Sequence, residues 1–63
     1  MDSDRSELSA LASTLDDLAS RLTGVADRYK TGPRTDIAEG LYEVERSLLT
    51  AARQLDRVVR SMR

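Results

Sequence analysis

Apolar residues in this chain recur in steps of three and four on both sides of one short break. Before it lie Leu8, Leu11, Leu15, Leu18, Leu22, Val25 and Tyr29; after it lie Ile37, Leu41, Val44, Leu48, Ala51, Leu55 and Val58. Read outward from Pro33, the two sets are mirror images, from Tyr29 with Ile37 to Leu8 with Val58. Alternating steps of three and four place side chains on one face of an α-helix. Two such faces in mirror order predict an antiparallel hairpin whose large apolar residues meet layer by layer. The expected fold class is therefore all-α: a coiled-coil-like two-helix hairpin forming a single domain over 1–63, with a helix over 4–30, a turn over 31–35 and a helix over 36–62.

Local signals support these bounds. Asp4 and Glu7 make a box-like helix start, which Asp36 and Glu39 repeat at the second helix. Carboxylates there accept from unpaired N–H groups and suit the positive end of the helix dipole. At the first helix's end, Lys30 suits the negative pole, Gly32 is expected to take a left-handed cap conformation, and Pro33 cannot continue the helix. Asp17 and Arg21 are spaced for an i,i+4 ion pair. Gly24 is a weak spot inside a helix, costing about 1 kcal/mol relative to Ala.

Further apolar rows flank the main stripe. Ala12, Ala19 and Ala26 recur every seventh residue, and Ala38, Glu45, Ala52 and Val59 do the same in the second helix, widened by Tyr42 and Leu49. Small residues let a helix backbone approach closely, and a face this broad exceeds what one neighbouring helix covers. These nine residues are read as the surface left for a partner, with Gly40 at the opposite edge admitting Tyr29 or a partner's side chain. Glu45, inside the row, is a candidate to pair with Arg21 and select register. A chain of 63 residues is marginally stable alone. Without Cys it has no disulfide, and oligomerisation is the remaining remedy. The simplest closed solution is a homodimer forming a four-helix bundle; the alternative is a hetero-bundle completed by another helical protein.

The Ala and Leu rows of helix one, with Asp36-Ile37-Ala38-Glu39-Gly40-Leu41 opening helix two, give a layout that resembles the Rop-type RNA-binding hairpin. The resemblance covers the hairpin layout and implies a dimeric four-helix bundle. In that family a helix-one face rich in Lys, Gln and Asn, with a Phe, contacts RNA. Here Ala10, Thr14, Leu18 and Val25 lie where that face would be, and the helix start is acidic, so the resemblance does not extend to RNA binding.

The residue inventory argues against catalysis. There is no His and no Cys, no nucleophile elbow and no Gly-rich phosphate loop. Glu39 and Glu43, one turn apart, read as solvated surface. A di-metal bundle would need inward Glu and Glu-x-x-His, so neither metal nor other cofactor is expected. Net charge is −1, distributed as −4 over 1–20, −1 over 21–45 and +4 over 46–63; an antiparallel hairpin sets the acidic start beside the basic end. Arg46, Arg53 and Arg60 recur every seventh residue, with Arg57 and Arg63 alongside. Such a stripe can follow a phosphate backbone, but acidic net charge, absent aromatic interleaving and Asp56 argue against nucleic acid. No run approaches the ~20 apolar residues of a membrane span, and Met1-Asp2-Ser3-Asp4 lacks a signal-peptide pattern, so a cytoplasmic protein is expected. The function expected is that of a self-associating adaptor or regulator acting through protein–protein contacts.

Overall fold

The computed structural model describes residues 2–62 as two α-helices, α1 (Asp2–Tyr29) and α2 (Thr35–Ser61). They pack against each other as an antiparallel hairpin measuring 49 × 14 × 9 Å. The break falls where the sequence places it, and each helix is continuous through its glycine.

The turn departs from expectation in detail. Among the described residues no glycine has positive φ, so Gly32 does not form a left-handed cap. Instead its N–H donates to the Tyr29 carbonyl at 3.3 Å, a tight i,i+3 closure, after which Pro33 prevents any further helical hydrogen bond. Neither acidic box forms as expected. Asp4 and Asp36 lie inside the first turns, because the helices begin at Asp2 and Thr35. The residue capping α2 is Arg34, which makes no side-chain cap hydrogen bond. Its guanidinium grips the Asp36 carboxylate with two parallel bonds, from Nε at 3.0 Å and Nη2 at 2.9 Å. That fork holds the Asp36 carboxyl below the usual carboxylate range and raises the Arg34 guanidinium. At the far end the Met62 N–H closes on the Val59 carbonyl at 3.1 Å.

The mirror pairs do not form the seam between the helices. Among the described residues, the buried ones are all alanines: Ala12 and Ala38 at 3 % exposure, Ala52 at 2 %, Ala19 at 1 % and Ala26 at 0 %. Side chains as small as a methyl group suit the short end of the ~8–10 Å range of distances between packed helices. The alanine rows expected to face a second chain are therefore consumed within this one.

The leucines are set off to one side. Leu8, Leu15 and Leu22 of α1 flank the seam half-buried, as do Leu41, Leu48 and Leu55 of α2. Each lies three residues after or four before an alanine of its own helix, so each row steps from the seam in the same rotational sense. In an antiparallel pair an equal rotational step leads to the same face of the hairpin. One row further out, Leu11 (47 %) and Leu18 (39 %) of α1, with Val44 (47 %) and Val58 (50 %) of α2, are exposed, as is Tyr29 (40 %), which follows Leu22 at the end of the inner row. The mirrored residues thus share one face instead of filling the gap between the helices.

Candidate interaction surface

The hairpin is a slab with two unlike faces. The apolar face combines the half-buried leucines with the exposed row beside them. Soluble chains scatter single exposed apolar residues freely, but a contiguous strip of large ones marks an association surface. Leu11, Leu18, Tyr29, Val44 and Val58 are the residues that sequence reasoning assigned to the inside. The signal that relocates them was present: one small residue per heptad in α1 and a matching row in α2 mark the line of closest backbone approach. That row was credited to a second chain when it serves the hairpin itself.

The opposite face is polar and is tied across the helices by hydrogen bonds. The Thr23 hydroxyl meets the Glu45 carboxylate, and the Tyr42 hydroxyl donates to Asp27. Thr23 Oγ1 also lies 3.1 Å from the Ala19 carbonyl. One hydroxyl proton serves one of these acceptors well, and the carboxylate is the stronger. Glu45 therefore interrupts the alanine row without being left unpaired. Its partner is Thr23 and not Arg21, whose Nη1 instead lies 3.9 Å from Asp17 on the exposed side of α1. Donation to Asp27, with burial and the nearby carboxylates adding to it, raises the Tyr42 phenol above its ordinary value.

The remaining predicted positions separate into three groups. Ala12, Ala19, Ala26, Ala38 and Ala52 are buried inside the seam between α1 and α2. Tyr42, Leu49 and Val59 are half-buried along it, with Tyr42 and, one heptad on, Leu49 on the polar side. Arg46, Arg53, Arg57 and Arg60 are exposed on α2, and Arg63 lies outside the described residues. The structure does not gather the arginines with the predicted interface alanines into one site. A Cβ built on Gly40 meets nothing within 4 Å, so Tyr29 does not fill that position. Among the described residues no ion pair crosses from α1 to α2, the two that form being Asp17–Arg21 and Arg34–Asp36.

Among the described residues, no group of three or more His, Cys, Asp or Glu side chains is arranged to hold a metal ion, and no helix is long and apolar enough to cross a membrane. Glu43, Arg46, Ser47, Thr50, Ala51 and Gln54 line a shallow open depression along α2, where the short side chains of Ser47 and Ala51 leave room. Comparison with protein-family models, curated proteins and solved structures finds no match to this chain.

Proposed function

We propose that this chain is a small non-enzymatic association module that pairs with a second copy through its apolar face, closing a four-helix bundle and acting as an adaptor or regulator. The observation that carries this reading is the strip of five large apolar side chains, each 39–50 % exposed, along one face of a slab whose other face is polar. Full burial of such a side chain is worth roughly 1.5–3 kcal/mol, so the exposed half of each contributes about 1 kcal/mol when covered. The chain's small size points the same way, since a hairpin with an alanine-only buried core has little else to stabilise it.

Analytical ultracentrifugation over a wide concentration range, with circular dichroism on the same samples, tests the proposal. The expected result is a helical dimer that Leu18→Glu dissociates by placing a charge in the middle of the strip. A well-folded monomer at every concentration would refute it. A poorly folded monomer that becomes helical only with a different protein would replace self-association with a hetero-bundle.

A further inference from the structure

The apolar face has two edges, and they differ in chemistry. On α1 the row beyond Leu11, Leu18 and Val25 is Glu7, Thr14, Arg21 and Arg28, all exposed. On α2 the row beyond Val44, Ala51 and Val58 is Gly40, Ser47, Gln54 and Ser61, exposed and uncharged. When two copies close face to face, these edge rows flank the new seams, as e and g positions do in a coiled coil. Two closed arrangements exist. A two-fold axis parallel to the helices sets α1 against the partner copy's α2, with both turns at one end. A two-fold axis across the helices sets α1 against α1 and α2 against α2, with the turns at opposite ends.

Resting on the self-association reading above, we infer that the second arrangement forms, with its axis at the level of Leu18 and Ala51. The hairpin's own register fixes that level. Thr23 meets Glu45 and Asp27 meets Tyr42, so residues whose numbers total 68 or 69 are level, and Leu18 is level with residues 50–51. An axis there brings Leu18 against its own copy and Leu11 against Val25. In the edge row the same rotation brings Glu7 level with the partner copy's Arg28, an opposite-charge pair that occurs twice by symmetry. Neither Glu7 nor Arg28 is engaged in an ion pair within the hairpin among the described residues.

On α2 the same axis passes through Ala51, the smallest residue of its row, so the two α2 helices can approach closely there. The arrangement with both turns together lacks these features. There Glu7 is level with Ser61 and Arg28 with Gly40, and neither charge meets its opposite. Edge charges of this kind set orientation and partner choice more than affinity.

The chain has no Cys, so a single spin label can be placed by Thr31→Cys without a background label. Thr31 lies thirteen residues beyond Leu18, about 20 Å along the helix at ~1.5 Å per residue. The inferred arrangement therefore separates the two labels by on the order of 40 Å. Turns at the same end place them within about two interaxial distances, ~20 Å. A pulsed dipolar measurement near the longer value, repeated with Lys30→Cys, supports the inference. A value near the shorter one overturns the orientation and leaves self-association standing. An unlabelled chain that sediments as a monomer at every concentration overturns both.

Discussion

Replacing Ala26 by Leu tests the alanine seam directly. Ala26 is 0 % exposed and faces the other helix across a gap filled by methyl groups. The substitution adds an isopropyl group where only a methyl fits, so the helices must part or the side chain must leave its preferred rotamer. Overpacking of this kind costs roughly 1–3 kcal/mol. Total stability for a chain of 63 residues is on the order of 3–9 kcal/mol, so the loss is a substantial share. Urea unfolding followed by circular dichroism at fixed chain concentration reads it as a midpoint lowered by about 1–3 M, for a slope near 1 kcal/mol per M. The control is Ala10→Leu, the same change at an exposed position of the same helix, expected to stay within about 0.5 kcal/mol. If the mirror pairs filled the seam instead, Ala26 would lie outside it and the larger side chain would be neutral or would strengthen association. Equal stability of Ala26→Leu and Ala10→Leu would therefore refute the seam assigned to the alanines.

Three further outcomes follow from local structure. Gly24 lies inside α1 and a Cβ there meets nothing within 4 Å, so Gly24→Ala should add about 1 kcal/mol and raise the thermal midpoint by roughly 4–8 °C, read by dichroism. The Arg34 fork lowers the Asp36 carboxyl, so its stabilising effect is full above the ordinary carboxylate range and is lost as pH falls through the lowered value. An NMR titration of Asp36 should shift upward in Arg34→Ala. Tyr42 behaves with the opposite sign: its phenol is raised by donating to Asp27, so that bond persists below about 10 and is lost as pH rises through the raised value. Tyr42→Phe should remove the higher-pH component of the phenolate absorbance titration.

The hairpin itself was legible because its period and its break are both strong local signals. Leucines at three-and-four spacing sustained over each helix leave little choice of secondary structure, and Pro33 leaves little choice of where the chain reverses. The seam was not legible on the same grounds. Leu15 and Ala19 lie on neighbouring rows of one helix, and periodicity alone does not say which row faces the other helix. That choice is made by how closely the backbones approach and by bonds between residues distant in sequence, Thr23 with Glu45 and Tyr42 with Asp27. The same limit explains the turn. Gly32 next to Pro33 suggests a left-handed cap, but the Tyr29 carbonyl is satisfied by a tighter closure that needs no positive φ. Arg34, two residues from Asp36, holds both oxygens of the carboxylate expected to cap α2, with the Asp36 and Ile37 N–H groups as lesser partners.

The alanine ladder divides the greasy positions of this molecule into two kinds that tolerate change under different rules. At Ala19 or Ala26 bulk is what counts, and almost any replacement jams or slackens the joint. At Leu11 or Val58, each about half exposed, the hairpin itself sets no such limit. Substitutions on the oily side of the slab therefore alter what it presents to solvent while the two rods keep their spacing.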